Sequence, residues 1–184
     1  MDSLADQGHP VALLRRGLIL LATLGIAGTG IELAMIRHWG TALQAVPWMV
    51  LAVLIAATIS LVRARSPRVV VAVRVIASFT VAASVFGIVE HVKANFDAGP
   101  LDAVYGPKWD TLSTTAKWWD AFIKRVGPSP TLAPGVLAQI GLCLLFASLH
   151  HPALHRSSAT HAGQGLVRVR ADPTSGSFGN DRTR

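Results

Sequence analysis

The sequence predicts an all-α fold: a polytopic membrane four-helix bundle with an amphipathic helix in its outer loop and a disordered C-terminal tail. Three observations predict it. Four long stretches are almost free of charge, the chain as a whole is poor in charged residues, and the basic residues gather in short segments beside those stretches. Charged residues make up 15% of the 184 positions and hydrophobic ones 51%. Soluble domains carry about 25% charged residues, so this balance points to lipid as the solvent. The mean hydropathy of +0.45 agrees.

Residues 1–16, MDSLADQGHPVALLRR, are polar and end in Arg15 and Arg16. The apolar run behind them is too long for the core of a cleavable signal, so the first span is expected to remain as a helix. A helix rises 1.5 Å per residue and crosses a hydrocarbon core of about 30 Å in roughly 20 residues. Residues 17–36 fit that length with one charge, Glu32, and residues 41–62 fit it with none. The third stretch, 69–89, holds only Arg74, and the fourth and shortest, 132–149, holds no charge. A soluble helix would show a polar face every three or four residues. The second stretch, TALQAVPWMVLAVLIAATISLV, offers only scattered Thr, Ser and Gln.

The connections set the topology. Residues 37–40 are too short for anything but a tight hairpin, and residues 63–68 form a turn in which Pro67 stands just before the third helix, where its missing amide costs least. Residues 92–131 make the one sizeable loop. Its segment DTLSTTAKWWDAFIKRV places Leu112, Ala116, Trp119, Phe122, Ile123 and Val126 on one face of a helix, with Asp110 or Thr111 as candidate cap. Trp118 and Trp119 beside Lys117, Lys124 and Arg125 suit a headgroup region. GPSPTLAPG, residues 127–135, breaks the chain before the last span. Residues 155–184 are poor in large apolar side chains and are expected to be disordered.

The net charge of +7 comes largely from arginines flanking the spans: Arg15 and Arg16, then Arg63, Arg65 and Arg68, then Arg156, Arg168, Arg170, Arg182 and Arg184. That is the positive-inside pattern of an inner-membrane protein with both termini cytoplasmic, and it argues against a nucleic-acid partner. Cys143 is the single cysteine, which excludes an intramolecular disulfide and paired-thiol oxidoreductase chemistry. His150, His151, His155 and His161 stand without an acidic or thiol companion, so they read as an interfacial basic segment before a metal tract.

A charge at the middle of a span costs about 2.5–3.5 kcal/mol on insertion scales, so each one needs a reason. Arg74 lies near the start of its helix and can snorkel. Glu32 follows Gly25 and Gly28 at helical spacing, which places it towards a helix partner. Ala77, Thr80, Ser84, Gly87, His91 and Asn95 form one small and polar face of the third helix. Gln44 and Pro47 open the second helix, and Gln139 sits one turn before Cys143 in the fourth. With alternating helix directions, Glu32, His38, Gln44, Glu90, His91 and Gln139 fall in one outer layer, with Glu90 at its rim.

Glu32, His38 and His91 are the candidate ligand or metal residues, supported by Gln44, Asn95 and Gln139. Two imidazoles and a carboxylate suit a divalent transition metal. The same histidines suit a haem iron between helices. Carboxylate and imidazoles also suit a proton relay or a quinone head. The competing reading is that the layer only fixes helix packing. No Ser/His/Asp arrangement, phosphate loop or dinucleotide fingerprint supports a conventional enzyme. The expected function is a small accessory or ligand-binding membrane protein. The alternatives are a redox or transport subunit of a larger complex and a purely structural interaction subunit. The expected partners are the lipid bilayer, other membrane subunits or a second copy.

The stretches GIELAMIRHWGTALQAVPW, EHVKANF and APGVLAQIGLCLLFASLHHPAL together resemble a family of uncharacterised small bacterial integral membrane proteins. The resemblance covers roughly residues 30–154, without the outer loop. It rests on Glu32, His38, Gln44 and Pro47 in the first hairpin, His91 and Asn95 at the end of the third span, and Pro134, Gly135, Gln139 and Pro152 around the fourth. It implies a four-helix membrane fold and no particular activity. Family members carry more acidic residues after the third span, where this chain has FDAGP, and that departure weighs against a carboxylate-rich cation site there.

Overall fold

The computed structural model describes residues 8–154. The expected tail at 155–184, with His155 and His161, and the first seven residues lie outside the described residues. Among the described residues the main α-helices are, in order, α1 (Gly8–Met35), α2 (Ala42–Arg63), α3 (Pro67–Ala98), α4 (Thr114–Phe122) and α5 (Gly135–Ser148). Two short 3-10 turns, Gly99–Leu101 and Gly106–Thr111, lie between α3 and α4, and no strand occurs among the described residues. Helices α1, α2 and α3 are long and apolar enough to cross a membrane, whereas the 14-residue α5 is shorter.

The ends of these helices follow from local chemistry. Helix α1 stops in a left-handed cap: Arg37 has φ 51°, His38 N–H donates to Leu33 O at 2.9 Å and Arg37 N–H donates to Ala34 O at 3.1 Å. Those two bonds satisfy carbonyls that a helix end leaves orphaned. Lys124 repeats the device after α4 with φ 58°, where Arg125 N–H donates to Asp120 O at 2.9 Å. Helix α2 starts at Thr41, whose Oγ1 accepts from Gln44 N–H at 3.2 Å. Pro67 occupies the first turn of α3, as expected.

Two expectations about boundaries change. Helix α1 begins at Gly8, so Arg15 and Arg16 lie within it and not in a preceding polar segment. Helix α3 continues nine residues past Val89 to Ala98, about 48 Å in all. The loop helix is also shorter than its apolar pattern suggests. Ser113, and neither Asp110 nor Thr111, caps α4, its Oγ accepting from Ala116 N–H at 3.2 Å. Trp119, Phe122 and Ile123 are exposed, while Asp120, Ala121 and Val126 are buried. The helix therefore turns most of its apolar face outward.

Helix α5 sits between α1 and α3, and α2 packs on α1 and α3 with only an edge against α5. Backbones come close where side chains are small. A Cβ at Gly141 would lie 2.9 Å from Ala77 O, and one at Gly25 would lie 2.8 Å from Ile140 Cγ1. The core joins Leu54, Leu61, Val70, Val73, Ile140 and Leu144. A second small core at the loop end joins Trp109, Ala121 and Val126. The Phe96 ring belongs to it, stacked 4.4 Å from Trp118 and edge-on to Trp109 at 5.6 Å. Large apolar side chains on the bundle surface stay exposed, Phe79 at 75% and Leu20 at 59% among them.

Candidate functional site

Gly87, His91 and Asn95 repeat every four residues and so share one edge of α3. This edge meets the chain that enters α5. A Cβ at Gly87 would lie 3.0 Å from the Pro134 ring. One turn on, His91 Nδ1 stands 2.8 Å from Pro130 O. A carbonyl only accepts, so Nδ1 carries a proton and donates it to this bond. One further turn on, Asn95 is fully buried. Its Oδ1 accepts from Ser129 N–H at 2.8 Å. Its Nδ2 donates to Ser129 O at 2.9 Å and to Ala121 O at 3.2 Å, with Thr131 Oγ1 at 3.4 Å. Gly127, at φ +78°, lies directly against Asn95 and leaves no room for a side chain. The polar stripe of α3 therefore binds its own chain.

The other members of the expected layer separate. Gln44 Oε1 accepts from Gly40 N–H at 2.8 Å while its own N–H donates to Thr41. This is a capping exchange at the start of α2, and its T-x-x-Q signature is present in the sequence. His38 is half-buried in the same hairpin, and its carbonyl accepts from Trp48 Nε1 at 2.8 Å. Glu32 and Gln139 are exposed, in place of the bundle-facing position expected for Glu32. Glu90 is half-buried. No group of three or more His, Cys, Asp or Glu side chains among the described residues is placed to hold a metal ion, so Glu32, His38 and His91 do not meet as a ligand set.

The opposite end of the bundle holds polar contacts that the sequence did not reveal. Arg74 does not snorkel free. Its Nε donates to Ser148 Oγ at 3.0 Å, and its Nη2 donates to Ser148 O at 2.8 Å and Leu149 O at 3.1 Å. A cation thus caps the carbonyl end of α5, where the helix dipole is negative. His151 is buried and is not an interfacial cation. Its Nε2 stands 3.1 Å from Leu61 O, and its Nδ1 accepts from Ala153 N–H at 3.2 Å. One ring nitrogen donates and the other accepts, which requires the neutral imidazole. Burial pushes the His151 pKa below 6.5 and the Arg15 charge pushes it further, against an opposing pull from the Leu61 carbonyl.

No family model, curated protein or solved structure matches this chain. Of the motif residues that carried the expected resemblance, Gln44, His91, Asn95 and Pro134 make structural contacts in this fold.

Proposed function

We propose that the chain is a four-span inner-membrane protein with both termini cytoplasmic, acting as a non-enzymatic interaction subunit that associates first with a second copy of itself. The length of α1, α2 and α3 supports the membrane reading. Bonds of the i→i−3 kind extend α5 at both ends, from Gly135 N–H to Leu132 O and from Leu149 N–H to Phe146 O. With those turns the fourth segment approaches a spanning length. The large loop then faces outward, and exposed Trp118 and Trp119 lie at headgroup level.

One observation carries the interaction reading. Gln139 is exposed on α5, and the neighbouring Ile140 lies against Gly25, near the middle of the first span. An amide at that depth on a lipid-facing surface lacks water as a partner. It carries both a donor and an acceptor, so two copies related by a twofold axis along the membrane normal satisfy one another at matching depth. Leu132, Val136 and Leu142, all exposed, surround it. Interhelical hydrogen bonds of this kind contribute about 1–2 kcal/mol. Energy transfer between labelled copies in vesicles tests the reading. Gln139→Leu lowers association roughly five- to thirtyfold if the amide pair holds the dimer. Unchanged association in that variant, or a monomer at every protein-to-lipid ratio, refutes it.

A second reading keeps a ligand at His91. Its Nδ1–H is held by the Pro130 carbonyl, which leaves Nε2 as the nitrogen available to a ligand on a half-buried ring. Histidines that ligate metals are commonly held this way. Haem, which brings its own equatorial nitrogens, fits a lone histidine better than a bare divalent ion does. Absorbance and elemental analysis of natively purified protein decide it, since a colourless and metal-free preparation leaves His91 purely structural.

A further inference from the structure

Helix α1 runs on past the end of α5, because α5 stops at Ser148 under the Arg74 cap and the chain then turns to pin His151 on α2. The overhang leaves a groove of about 280 Å³ between the two helices. Leu14 and Leu18 of α1 and Phe146 and Leu149 beside them form its walls, and Arg15 and His150 are the polar side chains that line it. Among the described residues no carboxylate lines the groove. Leu14 is 65% exposed, Phe146 57% and Leu149 51%, so the walls are open to whatever surrounds the bundle.

Apolar walls call for an apolar occupant, and the Arg15 guanidinium at the rim, with His150 beside it, calls for an anion. Both demands meet in one molecule. We propose that this groove holds one anionic phospholipid, an acyl chain lying along Leu14, Leu18, Phe146 and Leu149 and the phosphodiester resting on Arg15 with His150 as a second contact. The proposal rests on the membrane reading above, under which this end of the bundle lies in the cytoplasmic leaflet. It is independent of the Gln139 contact. Arg15 is half-buried against the bundle, whereas its neighbour Arg16 is exposed and does not line the groove. Charge close to the surface is therefore common to both, and contact with the groove belongs to Arg15.

The test uses the full chain in nonionic detergent, delipidated, with native mass spectrometry during titration of phosphatidylglycerol, phosphatidylcholine of the same acyl chains, and inorganic phosphate. The expected result is one saturating phosphatidylglycerol adduct, weaker phosphatidylcholine binding and no phosphate adduct. Arg15→Gln lowers the phosphatidylglycerol affinity about fivefold, the worth of one basic side chain at an anionic surface. Arg16→Gln leaves it unchanged. Leu14→Trp fills the groove and removes both lipids. Equal binding of the two lipids, a silent Arg15→Gln, or an equal response to Arg16→Gln overturns the proposal, and phosphate bound as tightly as lipid shows an anion site in its place. Carbonate extraction of native membranes separates the two layers of argument. Release of the chain refutes the membrane reading, whereas retention without a phosphatidylglycerol preference refutes the lipid site alone.

Discussion

Asn95 and Ser129 bind each other twice, the amide oxygen accepting from the Ser129 N–H at 2.8 Å and the amide nitrogen donating to the Ser129 carbonyl at 2.9 Å. The pair closes a connection that has no regular structure of its own. Because Asn95 is fully buried, removing its amide leaves backbone groups without partners at about 1–3 kcal/mol for each. Asn95→Ala is expected to lower the melting temperature in detergent by several degrees. It also exposes the segment around residue 127 to limited proteolysis. Asn95→Asp keeps the acceptor and turns the donor into a second oxygen facing the Ala121 and Ser129 carbonyls, so it is expected to be at least as damaging.

Gly127 answers to the same contact from the other side. Its φ of +78° and the overlap of any Cβ with Asn95 give two separate penalties. Gly127→Ala is predicted to destabilise the protein by more than the roughly 1 kcal/mol typical of left-handed strain alone. In an Asn95→Ala background the contact with Oδ1 disappears but those with Cα and Cβ of residue 95, at 2.5 and 2.8 Å, remain, so Gly127→Ala is expected to stay almost as damaging there, read from paired melting curves.

What the sequence made legible was periodic. The apolar runs marked α1, α2, α3 and α5, and the four-residue spacing of Gly87, His91 and Asn95 marked one helix edge. The partner of that edge was not legible. It lies in GPSPTLAP, a segment without periodicity that contacts Asn95 more than 30 positions away. A polar stripe without a visible partner invites a ligand, whereas in the fold the partner of His91 is the Pro130 carbonyl. Gln44 differs, because a local T-x-x-Q signature marks its capping role although it stood among the supporting polar residues of the expected layer. The tie between Arg74 and Ser148 spans 74 positions and has no sequence signal.

Arg74 supplies a prediction in which charge alone is not sufficient. Its guanidinium reaches a hydroxyl and two carbonyls at once, a fork that an ammonium cannot reproduce. Hydrogen bonds to a charged group are worth about 1.5–3 kcal/mol each. Arg74→Lys is expected to recover only part of the stability lost in Arg74→Gln. Full recovery by lysine, measured by thermal unfolding in micelles, would mean that the helix dipole and not the fork is what matters.

His151 makes stability depend on pH. Its folded-state pKa lies below the ordinary 6.5, first through burial and then through Arg15. Above 6.5 both folded and unfolded states are neutral at this ring, so the full contribution is present. As pH falls below 6.5 the unfolded chain takes up the proton first, and stability declines until the folded pKa is passed. The melting temperature is therefore expected to fall between pH 7 and 5, within the ordinary titration range of histidine. His151→Gln places an amide where Nε2 donated to Leu61 and removes the titration, so its profile is predicted to be flatter. Arg15→Gln removes the second cause of the shift, raises the folded pKa, and leaves a slope between the two. A profile in which His151→Gln melts with the unaltered pH dependence would assign the effect to other histidines.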